Sequence, residues 1–123
     1  MRLYQQRVFR EAAGDEFRPG GTELTRELAD ACALRPGERV LDLGCGVGSS
    51  ASILRHRYRV EAYGLDDSHE FIQEACARDA DVTWVVGSAF ALPFADQFFS
   101  AVFCECFLSL FGRPAMVLRE VRR

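Results

Sequence analysis

Three glycines in five positions, Gly44, Gly46 and Gly48, follow a short apolar run at 40–43 that carries one acid, Asp42. Glycines so placed let the backbone take positive φ and leave no Cβ to hold a ligand away. A helix that starts just beyond such a turn presents unpaired N–H groups at its first turn, where partial positive charge collects. Asp66, followed by Asp67, stands 20 residues beyond Gly46. A carboxylate at that spacing is placed to accept two ribose hydroxyls. A tight strand-to-helix turn would explain the glycines but not the acid. The combination points to a nucleotide-type ligand.

The pattern discriminates between nucleotides. The dinucleotide fingerprint G-x-G-x-x-G/A sets its third small residue three places after the second glycine. Ser49 holds that place here, and the third glycine comes one residue earlier. Asp42, Asp66, Asp67 and Glu105 are all expected near the ligand rim, and the turn contains no Lys or Arg. A pyrophosphate would meet repulsion there, whereas a ligand carrying an ammonium and a sulfonium would be attracted. The helix N-terminus works partly against this, because it favours any anionic group, a carboxylate included.

The remaining reactive side chains point to no second centre. His56 lies in a charged helical stretch and His69 at a helix start, and both read as surface histidines. Cys104 and Cys106 share one face of an extended segment, but two thiols without further ligands make a poor zinc site. They read as core cysteines, and Cys45 as a space-filler among the glycines. No metal site and no general base is expected.

These residues need elements to position them. A helix is expected over 2–13, with Tyr4, Val8 and Ala12 on one side, then a loop at 17–22. Thr22 can cap a helix that sets Leu24, Leu28, Ala31 and Cys32 on one face. A strand at 40–43 feeds the glycine turn and a helix at 49–57 follows. A second strand spans 59–66. Ser68 caps a helix that buries Phe71, Ile72, Ala75 and Cys76. The β-branched and aromatic run at 82–87 is a third strand, "ALPFADQ" a turn-rich connection, and 98–106 a fourth strand. Pro114 suits the first turn of a last helix. Phe90, Phe94 and Phe98, and also Phe99, Phe103, Phe107 and Phe111, recur every four residues. Pro93 and the surrounding β-formers argue that these are core aromatics rather than a helical stripe.

Strands alternating with helices mean a parallel sheet with right-handed crossovers and a ligand at the carboxyl ends of its strands. The first strand is expected in the centre, the second and third on one side and the fourth on the other. The whole chain, 1–123, is expected to be one domain, with an N-terminal helix and loop at 1–21 and an α/β core at 22–123.

Composition excludes several classes. The chain is 49% hydrophobic, enough for a real core, and its net charge of −3 argues against a nucleic-acid surface. Arg55, Arg57 and Arg59, and Arg119, Arg122 and Arg123, read as solvated helix faces. "MRLYQQRVFR" has no apolar signal core, and the longest uncharged run, 82–95, is too short and broken to cross a membrane. Five cysteines without framework spacing fit reduced thiols in the cytoplasm.

With these motifs in place, the chain resembles the class I S-adenosylmethionine-dependent methyltransferases, in the small-molecule branch called methyltransferase type 11. "VLDLGCGVG" is similar to the family's first motif and "GLDDS" to its second. "GSAFALPFADQFFSAVFCECFLSLF" is similar to its "gda-x-x-LPF … FD-x-V" segment, and "VLREVRR" to the helix leading to its fifth strand. The similarity covers about 35–123, and "FRPGGTELT" resembles the entry segment of some bacterial members.

The resemblance implies a Rossmann-like parallel sheet with flanking helices, S-adenosylmethionine as cofactor and a small-molecule methyl acceptor. It implies that Gly44, Cys45, Gly46 and Gly48 lie against the methionyl part and that Asp42 orders its ammonium. Asp66 would bind the ribose with Asp67 beside it, Ser88 and Ala89 would flank the adenine, and Cys104 and Glu105 would border the sulfonium. Three departures stand out. Ser88 replaces an acid usual for the adenine amino group, Ser100 replaces the acid of "FD", and the family's seven-stranded sheet is expected here to be truncated after the helix following strand four. That leaves an open fourth-strand edge suited to self-association. A cofactor-binding fragment or sensor without turnover is the competing reading, and a nicotinamide-dependent oxidoreductase is disfavoured by Ser49.

Overall fold

The structure, a computed structural model, describes residues 21–104 and 119–123. The helix expected over 2–13, the site residue Glu105, and Cys106, Phe107, Phe111 and Pro114 lie outside the described residues.

Four strands form one parallel sheet: β1 (Arg39–Leu43), β2 (Glu61–Asp66), β3 (Thr83–Val86) and β4 (Ala101–Phe103), in the order β3-β2-β1-β4. This is the expected order, with β1 central. β1 buries every residue after Arg39, as a strand covered on both faces must. Alternation sends Val40, Ala62, Trp84 and Phe103 to one face, where they pack with Ala29, Ala51 and Leu54. Leu41, Leu43, Leu65 and Val85 point to the other, under Ala89, Leu92, Phe94 and Phe99.

Among the described residues, three helices precede β3: α1 (Gly21–Ala31), α2 (Ser49–Tyr58) and α3 (His69–Arg78). α1 does not bury the expected stripe. Thr25 and Ala29 are its fully buried residues, Leu28 is 40% exposed, and Ala31 and Cys32 face outward. The reason is close packing on α2. Two small residues admit the approach, and Thr25 Oγ1 lies 3.0 Å from Ser50 Oγ, so the buried hydroxyls satisfy each other. The helix also starts at Gly21, one residue ahead of the expected cap Thr22.

α3 begins as read. The Phe71 N–H donates to Ser68 Oγ at 3.2 Å, and Phe71, Ile72 and Ala75 are buried. Cys76 is exposed instead, because it sits about 40° past Ile72 around the helix, at the rim of the buried stripe.

β4 is shorter than the expected 98–106. Its register with β1 covers only Val40–Asp42, since β1 turns away into the glycines after Leu43. Pairing begins where the Ser100 N–H donates to Arg39 O at 2.8 Å. Phe98 and Phe99 are spent before the strand, meeting Tyr63 edge-on at 5.6 and 5.2 Å, with the Arg39 guanidinium 4.1 Å from the Phe98 ring. Of the described phenylalanines in the two series, Phe94, Phe98, Phe99 and Phe103 pack against the sheet or its core as expected, while Phe90 is 41% exposed. β4 stands at the sheet's edge as expected, over three residues among those described.

The segment at 119–123 is partly exposed but tied to the loop after β3. Residues 119–122 are helical. Arg123 pairs with Asp96 at 2.8 Å and donates to the carbonyls of Leu92 and Phe94, while Glu120 accepts from the Leu92 N–H at 2.8 Å. Arg123 is exposed as expected, yet its forked guanidinium also collects carbonyls of the "LPFADQ" loop. Arg119 and Arg122 are exposed as expected. Among the described residues, no helix is long and apolar enough to cross a membrane.

Candidate functional site

The glycine turn is stitched to β2 before any ligand is considered. The N–H groups of Gly44 and Cys45 both donate to Leu65 O, at 2.7 and 3.0 Å. Gly44, Gly46 and Gly48 have φ of 73°, 58° and 93°, the left-handed backbone that the glycines were expected to supply. The Gly46 N–H donates to Asp66 Oδ2 at 3.0 Å, and the other oxygen of that carboxylate accepts from the Ser68 N–H at 2.9 Å. Asp66 O accepts from the Gly87 N–H at 3.0 Å. One buried residue therefore joins the glycine turn, the start of α3 and the exit from β3.

The two glycines of the turn's second half differ. A methyl group added at Gly46 would meet nothing within 4 Å, so this face is open. At Gly48 it would fall 2.2 Å from Trp84 Cη2. Gly48 is the N-cap of α2, and no side chain caps the helix there.

The structure gathers the described residues of the expected set, all but Glu105, at the carboxyl ends of the strands. Asp42 and Asp66 are buried and Asp67 is exposed. Ala89 is buried, while Ser88 is exposed and its Oγ accepts from the Phe90 N–H at 3.1 Å. Cys104, half-buried, follows Phe103, which stands in register with Asp42. Burial first, and then the Asp42 charge, push the Cys104 thiol up to about 11. Burial, then Asp42 and Asp66, also push the Cys45 thiol up. Both stay protonated at neutral pH and behave as small hydrophobes rather than nucleophiles.

Sequence reasoning missed two contributors. Trp84 fills the back of the turn, and Gly64, in the middle of β2, makes room for it. The signal was available, since an interior strand glycine marks a close approach. His56 is exposed but not free-standing. Its Nε2 lies 2.9 Å from Asp79 Oδ2 and 3.9 Å from Asp81 Oδ2, with all three ligand atoms within 4.8 Å. Burial alone would raise the Asp79 carboxyl, but hydrogen bonds from Ser52, the Asp81 N–H and His56 outweigh it and hold it below its usual range.

A parallel sheet of this order, with a glycine turn leaving its central strand and an acid closing the next, defines a Rossmann-like nucleotide-cofactor fold. Comparison with known proteins narrows the class. A family described as "Methyltransferase domain" matches residues 41–123. The chain belongs to this family, the class I S-adenosylmethionine-dependent methyltransferases, and S-adenosylmethionine is its cofactor. The phosphoethanolamine N-methyltransferase of Triticum aestivum is 29% identical over 102 residues, 79% of this chain and 20% of that protein. The demethylmenaquinone methyltransferase of Beutenbergia cavernae is 43% identical over 77 residues, 63% of this chain and 32% of that protein. Among solved structures, phosphoethanolamine N-methyltransferase 2 of Haemonchus contortus, in complex with phosphomonomethylethanolamine and S-adenosylhomocysteine, has a TM-score of 0.81. It is 23% identical, over 93% of this chain and 28% of that one, and so shares the fold. The chain spans about a fifth to a third of the length of these relatives.

The residues present fit the cofactor. The open face of Gly46 is a cradle that a Cβ would narrow, the uncapped start of α2 favours a carboxylate, and the Asp66 carboxylate stands at the edge of that turn.

Proposed function

We propose that this chain is the cofactor-binding part of a methyltransferase that transfers a methyl group to a small molecule. The observation that carries the reading is the Gly46–Asp66 contact, which locks the open glycine turn to the acid suited to a ribose. In this reading the backbone of Gly44, Cys45, Gly46 and Gly48 and the start of α2 hold the methionyl part, with Asp42 orienting its ammonium. Asp66 and Asp67 take the ribose hydroxyls. Ser88 and Ala89 flank the adenine, with the Ser88 hydroxyl as a neutral acceptor. Cys104 and Glu105 border the sulfonium and the acceptor.

Bound S-adenosylmethionine supplies an activated methyl, and the protein's task is to hold that methyl in line with the acceptor and away from water. The neutral thiols of Cys45 and Cys104 suit this task, since neither competes as a nucleophile. Two relatives are named for phosphoethanolamine and for demethylmenaquinone, which favours a small acceptor over a macromolecule. The four described cysteines are free, which favours a cytoplasmic setting.

Calorimetry with S-adenosylhomocysteine and with NAD tests the binding. Tighter binding of NAD would sink the assignment. Release of S-adenosylhomocysteine from S-adenosylmethionine in the presence of phosphoethanolamine or a demethylated quinone then separates turnover from binding alone.

A further inference from the structure

We propose that Trp84 is a positioning residue for the cofactor: its indole is the floor of the glycine turn, and it acts through Gly48. This inference rests on the reading that the turn binds S-adenosylmethionine. Trp84 lies on β3 in register with Gly64 of β2, and Gly64 in turn stands beside Asp42 of β1. Neighbouring strands lie about 4.8 Å apart, so a side chain from β3 reaches the turn above β1 only by crossing β2. Any side chain at Gly64 would block that path. A Cβ there would lie 2.5 Å from both Cε3 and Cζ3 of the indole, and 3.0 Å from Cys45 Sγ. The ring ends under Gly48, where a Cβ would come within 2.2, 2.8 and 3.0 Å of three indole carbons. The indole N–H donates to Asp79 O at 2.7 Å, which fixes the tilt of the ring.

The third glycine of the turn therefore serves the scaffold, and its lack of a Cβ is used from behind. The consequence for binding is direct. Gly48 holds a φ of 93° and starts α2, so whatever presses on it sets where the first N–H groups of that helix point. With the indole in place the turn is ordered before the cofactor arrives. With a smaller side chain a void opens behind it, and binding must order the turn at its own cost. Trp84 touches no reacting atom in this scheme.

Trp84 is the one tryptophan in the chain, so its emission reports this contact without labelling. The test titrates S-adenosylhomocysteine into the 123-residue chain by calorimetry and by tryptophan fluorescence, and repeats the calorimetry with Trp84→Leu, Trp84→Phe and Gly64→Ala. The wild type is expected to show a saturable emission change with the same Kd as the heat. Trp84→Leu should weaken binding about tenfold, and Trp84→Phe should recover most of it. Gly64→Ala should weaken binding by pushing the indole, and adding Trp84→Phe to it should restore affinity, an outcome that a merely structural tryptophan would not give. Should Trp84→Leu fail to fold, the Gly64→Ala and Gly64→Ala/Trp84→Phe pair carries the test. A wild type that gives no heat overturns the cofactor reading and this proposal with it. Wild-type heat with undiminished affinity in the folded Trp84 or Gly64 variants overturns this proposal alone.

Discussion

Gly46 and Gly48 sit two residues apart in one turn, both with left-handed backbone, and face opposite worlds. Gly46 opens on free space and has its N–H held by Asp66, while Gly48 is pressed onto the Trp84 ring. The same residue type at neighbouring positions thus does two jobs. At Gly46 the missing Cβ leaves room for a ligand, and at Gly48 it leaves room for the protein's own core. A glycine-rich motif is therefore not a list of ligand contacts. Its members divide according to what lies on each side of the backbone.

Substitution by alanine should break the pair apart. Gly48→Ala carries the largest expected cost, because it combines left-handed strain with an overpacked contact against Trp84. The strain contributes about 1–2 kcal/mol and the overpacking about 1–3 kcal/mol, for a loss of roughly 2–5 kcal/mol of folding stability. Urea denaturation followed by circular dichroism measures it. A Gly48→Ala protein as stable as wild type would show that the turn yields, and that the indole is not a fixed floor. Asp66→Asn comes next. An amide keeps one acceptor but loses charge, so S-adenosylhomocysteine affinity should fall by about 1.5–3 kcal/mol. The same change weakens the Gly46 and Ser68 contacts, so the melting temperature should fall too. Unchanged affinity in the folded variant removes Asp66 from the site.

Gly46→Ala sharpens the contrast. It meets no atom, so only the left-handed backbone costs stability, about 1–2 kcal/mol. Cofactor affinity should suffer more than stability, the reverse of Gly48→Ala. Equal ratios of the two losses in both variants, from paired calorimetry and melting curves, would erase the distinction. Ser88→Asp has a smaller expected effect, a gain of about 1 kcal/mol in cofactor binding from a charged acceptor, reduced by the burial of that charge. Weaker binding in the folded variant would mean that adenine is not held there.

The smallest effect lies in the thiols flanking the site. Cys104 is raised from 9.0 to about 11, so the native state favours its neutral form. Stability is then complete below the unfolded thiol's value and is lost as pH climbs through the window from about 9 to about 11. Cys45, raised for the same reason, adds to that loss. Denaturation midpoints across this window should fall less steeply in Cys104→Val than in wild type. Iodoacetamide at pH 8, read by mass spectrometry, should modify exposed Cys32 and Cys76 well before Cys45. Early loss of Cys45 would mean that the turn opens on its own.

The sequence by itself determined what depends on neighbours along the chain. Alternating strands and helices implied the order β3-β2-β1-β4, three glycines implied three left-handed residues, and Ser68 implied the start of α3. The spacing of Gly46 and Asp66 marked a carboxylate suited to a ribose, and the structure adds that the two residues bond directly. Only the tertiary structure decided what depends on partners from other elements. α1 turned Thr25 and Ala29 inward because Ser50 waits on α2, and β4 shrank to Ala101–Phe103 because β1 leaves the sheet at the turn. Arg123 became a clamp because the loop at Leu92–Phe94 presents carbonyls to it. Gly48 was given to Trp84 because Gly64 opens the path across β2. Periodicity records which residues share a face, but not which neighbour fills the space in front of that face. That is settled by close packing among segments far apart in the chain.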